Sequence, residues 1–188
     1  YYKGNTDEGV FNFYSLIISK IPKVKIILYN FELLSGYKFS VEAVTELVKA
    51  FPNNIIGCKD STSNLYENLK LPNFLIFPGT EKKLLKGLEL GNSGIISAIC
   101  NVTASLARKV FDDFENKKEQ KHNDKLIAVR DVFDGYNLIS ALHSYMSVKD
   151  DNFKNLLPPL TLLNSTEKKE LISKLDNLKF VIKNNLAA

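Results

Sequence analysis

The amino-acid sequence predicts an α/β fold in which parallel strands alternate with helices. Two observations predict it. Four short apolar runs are continuously hydrophobic rather than alternating, which is typical of strands buried on both faces. Helical patterns separate these runs at the spacing of right-handed crossover connections. The predicted strands are Lys25–Tyr29, Ile55–Lys59, Phe74–Pro78 and Gly94–Ala98.

The first helices are predicted from apolar periodicity and from capping residues. Asp7–Lys20 precedes the first strand, and Ser40 is placed to cap a helix over Val41–Ala50. A short, weaker helix is predicted over Asn64–Lys70. Thr80 is expected to cap a helix over 81–90 that Gly91 ends. After the fourth strand the pattern is wholly helical, with predicted helices at 102–116, 119–133, 136–148 and 166–183.

Composition excludes several classes of protein. The chain has 188 residues, of which 45% are hydrophobic, and no apolar run approaches the roughly 18 residues of a membrane span. The net charge of +4 comes from scattered lysines that alternate with acids, so we expect no nucleic-acid partner. Two cysteines in strand-like surroundings, Cys58 and Cys100, predict a reduced, cytoplasmic protein without disulfides or a metal cluster.

Two architectures fit this pattern: a doubly wound sheet and a (β/α)₈ barrel. No Gly-x-Gly-x-x-Gly loop follows any predicted strand, which disfavours a dinucleotide-binding fold. In both architectures ligands bind at the carboxyl ends of the strands. The side chains at these ends are therefore the candidates for chemistry.

Lys59 is the most informative residue, because it ends a strand predicted to be buried. Period-2 alternation places it on one face with Ile55 and Gly57, and the glycine is expected to leave space there. Desolvation disfavours the ammonium form of a lysine, and the neutral amine attacks carbonyl carbon to form a Schiff base. The alternative is a lysine that simply reaches solvent from a strand end.

Tyr29 ends the preceding strand and could neighbour Lys59 across a parallel pair. A phenol at that place could move protons during carbinolamine formation and collapse. The alternative is a tyrosine of the core or its rim. Gly79 and Gly94 follow or begin later strands and permit close backbone approach, although they could equally be ordinary turn residues.

Taken together, these residues resemble the pyruvate-dependent aldolases that include N-acetylneuraminate lyase and dihydrodipicolinate synthase. The resemblance runs from Tyr1 to about Leu163. Its strings occur in the family's order and spacing: Tyr1–Gly4 with Glu8-Gly9, Tyr29-Asn30 with Ser35-Gly36, Ile55–Thr62, Gly79, and Gly91–Ser97.

The resemblance implies the C-terminal half of a (β/α)₈ TIM barrel, strands 5 to 8, over residues 1–116, followed by a helical extension over 117–188. It assigns the Schiff-base amine to Lys59, the proton relay to Tyr29, and a contact with the neighbouring subunit's site to Tyr2. Substrate-binding positions would be Gly79, Thr80, Ile96 and Ser97. Because four family strands would precede Tyr1, we expect that the chain is incomplete or pairs with a missing half.

The implied activity is that of a class I aldolase or lyase that makes or breaks a C–C bond of a 2-keto acid. Its substrates would be pyruvate and an aldehyde, or the corresponding keto acid, with no cofactor or metal and with assembly as a homodimer or homotetramer.

Two departures bear on specificity: Glu32 replaces a family proline, and Leu34 stands where dihydrodipicolinate synthases carry an arginine. An N-acetylneuraminate lyase-like or 2-keto-3-deoxy-sugar-acid aldolase-like activity fits this better. Dihydrodipicolinate synthase, a non-catalytic relative that binds keto acids and an unrelated sheet-containing binding module remain the alternatives.

Overall fold

A computed structural model describes residues 4–181 and confirms the α/β class, with a small parallel sheet. The chain divides into two compact units between Ile96 and Ser97. The first unit contains, in chain order, α1 (Asp7–Lys20), β1 (Ile26–Asn30), α2 (Glu32–Ser35), α3 (Val41–Ala50), β2 (Ile55–Asp60), β3 (Leu75–Pro78), a 3₁₀ turn (Glu81–Lys83) and α4 (Leu84–Glu89).

The sheet of the first unit has the strand order β1-β2-β3, and both pairs are parallel. Leu28, Cys58 and Ile76 lie side by side across it and are buried in the hydrophobic core. A bulge at Ile56 shifts the pairing between the first residues of β1 and β2. The expectation that Ile55 shares a face with Lys59 is therefore wrong, because Ile55 packs into the core instead.

Helix α3 has the predicted bounds, and its cap explains why it starts at Val41. The hydroxyl of Ser40 accepts a hydrogen bond from Ala43 N at 3.0 Å, which satisfies one of the free amide groups of the first turn. Val44 and Leu47 are fully or almost fully buried against the sheet. Helix α1 also has the predicted bounds, and Thr6 caps it in the same way.

The predicted fourth strand is not a regular strand. Gly94 has φ of +130°, a left-handed conformation that interrupts extended pairing. The segment nevertheless runs beside β3, because Ser93 N donates to Ile76 O at 2.9 Å and Ile96 N donates to Pro78 O at 3.2 Å. The two hydrogen bonds are three residues apart in this segment but two residues apart in β3, so no continuous ladder forms.

Two predicted helical features of the first unit differ from the structure. Residues 64–70 form turns rather than a helix. Thr80 makes no side-chain capping bond, and the segment after it begins as the 3₁₀ turn before α4. Gly91, with φ of +85°, follows the end of that helical segment as predicted.

The second unit is helical, as predicted, although the helices start and end at different residues. Cys100 begins a helix rather than lying in a strand. Asn164 starts the last helix with a capping box, in which Glu167 N donates to the Asn164 side chain and the Glu167 carboxylate accepts from Asn164 N. No helix within residues 4–181 is long and apolar enough to cross a membrane. The helices are α5 (Cys100–Glu115), α6 (Asn123–Asp134), α7 (Leu138–Met146) and α8 (Ser165–Asn177), with a 3₁₀ turn at Asp151–Lys154.

Candidate active site

The two residues with the clearest predicted chemistry lie next to each other in the sheet. Tyr29 is the register partner of Lys59, and Lys59 is in turn the partner of Phe77. Each of the three directly follows a core residue of its strand, namely Leu28, Cys58 or Ile76. Because side chains alternate along a strand, the three point to the face of the sheet opposite the core. This row sits near the carboxyl ends of all three strands, which is where parallel folds bind their ligands.

The amine of Lys59 stands over an aromatic surface. Its Nζ lies 4.0 Å from the centroid of the Tyr29 ring, and the Phe31 ring lies 5.7 Å from the Tyr29 ring. The face of a phenol ring attracts the ammonium form of a lysine side chain by its quadrupole. Proton transfer requires the phenol oxygen and the amine to be within about 2.6–3.2 Å of each other or to share a water. A relay between Tyr29 and Lys59 would therefore use either a bridging water or a rotation of one of the two side chains.

Position 57 requires a glycine because β2 and β3 lie very close together there. A Cβ built on it would lie 2.6 Å from the carbonyl oxygen of Leu75 and 3.0 Å from its Cβ. The space beside Lys59 that the glycine was expected to leave is thus occupied by the backbone of β3. The glycine lets β3 lie close to the strand that carries the amine.

Three of the predicted substrate-binding positions lie at the carboxyl end of β3. Gly79 N donates to Asp60 O at 3.0 Å, and a Cβ on Gly79 would lie 3.1 Å from the Cα of Ser61. Thr80 follows in an extended conformation. Ile96 is held there by the bond of its amide to Pro78 O and is partly exposed. Backbone groups of β2 and β3 and the Ile96 side chain therefore meet at this edge.

The two remaining predicted site residues are placed differently. Ser97 begins the second unit, in which its hydroxyl accepts hydrogen bonds from Arg130 Nη1 at 3.2 Å and from Ile99 N at 3.3 Å. Those contacts give Ser97 a structural part at the start of α5. Tyr2 lies outside the described residues, so its predicted contact with a neighbouring subunit stays a prediction.

A buried polar pair beside the site was not predicted. Asn30 and Asp60 follow Tyr29 and Lys59 directly, and the Asn30 amide donates to the Asp60 carboxylate at 2.8 Å. Both side chains are completely buried. The sequence did contain a signal for this pair, since each of two neighbouring apolar strands ends in a polar residue. A buried polar group needs a partner, so the two could have been expected to bond to each other.

Cys58 lies behind the site, in the core, and is not a second nucleophile. Burial, and secondarily the negative charge of Asp60, raises the pKa of the Cys58 thiol to about 12. The reactive thiolate is therefore scarce at neutral pH. Among residues 4–181, no group of three or more His, Cys, Asp or Glu side chains is arranged to hold a metal ion.

Comparison with known proteins identifies the family of the chain. The profile of the Dihydrodipicolinate synthetase family matches residues 1–178. The chain belongs to this family. Its members among the similar proteins carry more than one name, so membership alone leaves the substrate open.

Two curated relatives show this diversity. A 4-hydroxy-tetrahydrodipicolinate synthase from a Hydrogenobaculum species is 36% identical over 106 residues, which are 54% of this chain and 36% of the relative. An N-acetylneuraminate lyase from Clostridium perfringens is 33% identical over 132 residues, which are 65% of this chain and 44% of the relative.

The fold is also similar to solved structures. The dihydrodipicolinate synthase of Cyanidioschyzon merolae, solved with lysine bound, superposes with a TM-score of 0.83 at 16% identity. The match covers 96% of this chain and 63% of that enzyme. At this identity the similarity concerns the fold, which in these neighbours is a TIM barrel. The chain thus spans less than two thirds of the length of the proteins it resembles.

Proposed function

We propose that the protein is a pyruvate-dependent class I aldolase or lyase in which Lys59 forms the Schiff base. The observation that carries the proposal is the 4.0 Å approach of the Lys59 amine to the Tyr29 ring, at the carboxyl ends of paired parallel strands. Membership in a family whose relatives are named as a synthase and a lyase supports it. A lysine-aromatic contact without this family context would not suffice.

The chemistry follows from an amine and a phenol side by side. The neutral amine of Lys59 adds to the ketone carbon of pyruvate, and the resulting carbinolamine loses water to give an iminium. Tyr29 gives and takes the protons of these steps. The iminium withdraws electrons, so the pyruvate methyl loses a proton and becomes an enamine. The enamine adds to the aldehyde carbon and water then releases the product, or the reverse sequence cleaves a keto acid.

We further propose that residues 1–116 form strands 5 to 8 of a (β/α)₈ barrel and that 117–188 form its helical extension. The apolar side chains on the open face of the sheet support this. Ile27, Tyr29 and Leu75 are 41%, 45% and 40% exposed, on the face that further strands of a barrel would cover. Assembly as a dimer or tetramer, a Tyr2 contact across it, and a cytoplasmic location belong to the same proposal.

The substrate-binding positions in this proposal are Gly79, Thr80, Ile96 and Ser97. The first three meet at the carboxyl end of β3, the strand that pairs with the one carrying Lys59, and this placement supports their assignment to the keto-acid site. The aldehyde partner separates the possible activities. An N-acetylneuraminate lyase-like or sugar-acid aldolase-like enzyme would accept neutral hydroxylated aldehydes, because Leu34 offers no cation to a second carboxylate. Assays of pyruvate with aspartate semialdehyde and with N-acetylmannosamine distinguish dihydrodipicolinate synthase activity from N-acetylneuraminate lyase activity.

The experiment that tests the mechanism is borohydride trapping. The protein is incubated with pyruvate, reduced with borohydride, digested and mapped by mass spectrometry. We expect a reduced pyruvyl adduct on Lys59 that is absent in Lys59→Ala and present in the control Lys25→Ala, whose amine lies at the opposite end of the sheet and donates to Asn53 O. Tyr29→Phe keeps the ring and should form the adduct more slowly, by about 10²-fold or more.

Each outcome has a consequence. An adduct on Lys59 leaves only the second substrate to be found. A folded protein that forms no adduct contradicts the aldolase mechanism. If calorimetry then shows that pyruvate still binds, the non-catalytic keto-acid-binding relative is supported instead.

A further inference from the structure

The carboxyl ends of β1 and β2 are joined by side chains as well as by the sheet. Asn30 and Asp60 are register partners, and each directly follows one of the two residues of the proposed mechanism. Their side chains point to the face opposite Tyr29 and Lys59. Asn30 Nδ2 donates to Asp60 Oδ1 at 2.8 Å, and neither residue is exposed to solvent.

Asn30 is held from every side. Its amide nitrogen also donates to Asn64 Oδ1 at 2.7 Å, and its amide oxygen accepts from Phe39 N at 3.1 Å. Its backbone carbonyl accepts from Ser61 N at 2.9 Å. Residue 30 thus ties the loop after β1 and the loop after β2 to the strand that carries Tyr29.

Asp60 does the same for the strand that carries Lys59. Its Oδ1 accepts from Ser63 N at 2.8 Å, and its Oδ2 accepts from Leu65 N at 2.8 Å and from Tyr66 N at 2.9 Å. With the Asn30 amide, the carboxylate receives four hydrogen bonds. Bonds to a buried carboxylate are strong and directional, so the pair fixes the local backbone.

We propose that the Asn30–Asp60 pair is a positioning device that sets the distance between the Tyr29 phenol and the Lys59 amine. This inference rests on the proposed function and adds two residues to it that act through their neighbours. The Cα–Cβ directions of residues 29 and 59 follow from the peptide planes that residues 30 and 60 anchor. Catalysis by proton transfer depends on such spacing to within about 1 Å.

The chain offers a matched control at the opposite end of the same two strands. Asn54 is also a buried asparagine, and its Nδ2 donates to Pro22 O and to Val24 O, both at 2.9 Å. It ties together the segments that precede β1 and β2, away from Tyr29 and Lys59. Removing either amide deletes buried hydrogen bonds of the first unit, but only Asn30 lies beside the proposed site.

The test compares Asn30→Ala with Asn54→Ala in the borohydride assay. The rate of adduct formation is measured at saturating pyruvate, together with the pyruvate concentration that gives half that rate and the pH profile of the rate. We expect Asn30→Ala to be slower at saturation by about ten- to a hundredfold, with the adduct still on Lys59 and with a changed pH profile. Asn54→Ala should stay within about twofold of the parent if position at the carboxyl end is what matters.

A milder variant covers the case in which Asn30→Ala does not fold. Asn64→Ala removes only one of the bonds of the Asn30 side chain, together with the bond of Asn64 to Phe39 O at 2.8 Å. It should slow adduct formation in the same direction and by less. Circular dichroism before each assay establishes that the variants are folded.

Two results would overturn the inference alone: unchanged rates in folded Asn30→Ala and Asn64→Ala, or an equal loss in Asn30→Ala and Asn54→Ala. In both cases the parent protein still forms the adduct, and the proposed function stands. A parent protein that forms no adduct overturns the inference together with the proposed function.

Discussion

The buried thiol of Cys58 makes stability at high pH a quantitative test of the core. Cys58 is completely buried between Leu28 and Ile76, and its pKa is raised to about 12, first by burial and then by the charge of Asp60. In the unfolded chain the thiol titrates near its ordinary value of 9.0. The folded protein therefore holds this proton more tightly than the unfolded chain does.

The direction of the effect follows from linkage. The contribution of a group with a raised pKa is fully present below its unfolded value and is lost as the pH rises towards its folded value. One pKa unit is worth about 1.4 kcal/mol, so the protonated thiol accounts for roughly 4 kcal/mol that disappears between about pH 9 and pH 12. A loss of this size is a large part of the 5–15 kcal/mol that stabilises an ordinary domain.

The assay is urea denaturation at intervals from pH 8 to pH 12. Cys58→Ala starts from a lower stability because it loses packing atoms, but its free energy of unfolding should fall less steeply above pH 9. The control Cys100→Ala keeps the buried thiol and should follow the slope of the parent. Equal slopes for Cys58→Ala and the parent would refute the reasoning, because they would mean that the thiol has the same proton affinity in both states.

Two further substitutions test the close contact between β2 and β3 and the N-terminal cap of α8. Gly57→Ala should lower the free energy of unfolding by roughly 1–3 kcal/mol, since its methyl would lie 2.6 Å from Leu75 O. Gly135→Ala is the control, because its nearest new contact would be at 3.5 Å; equal effects in urea denaturation would contradict this explanation. Asn164→Ala removes the capping box with Glu167 and should cost about 1 kcal/mol. Hydrogen exchange in the first turn of α8 should then be faster, and unchanged exchange would argue against the cap.

Helices α1 and α3 were predictable because their signals are local. The bounds of α1 were predicted from an apolar stripe of helical period and those of α3 from the Ser40 cap, and both helices have the predicted bounds. Neither signal needs knowledge of the rest of the chain. The neighbouring positions of Tyr29 and Lys59 were also foreseeable, since consecutive parallel strands tend to pair.

Features that depend on contacts distant in sequence were not predictable. Residues 64–70 have a helical pattern, but the amides of Leu65 and Tyr66 donate to the carboxylate of Asp60 rather than to a helical ladder. Gly94 sits in an apolar run typical of a strand, yet its positive φ becomes visible only in three dimensions. The bulge at Ile56 likewise moves Ile55 to the core face, against simple alternation.

The chemistry proposed for Lys59 and the exposure of the sheet around it are connected. Schiff-base formation needs a neutral amine, and withdrawal from water favours that form of a lysine. In the described part of the chain, the apolar side chains beside Lys59 on this face, Ile27, Tyr29 and Leu75, remain 40% to 45% exposed. A polypeptide that covers this face would remove apolar surface from water and would at the same time desolvate the Lys59 amine. Such a covering would therefore favour both the packing of the sheet and the neutral form of the amine that the proposed mechanism needs.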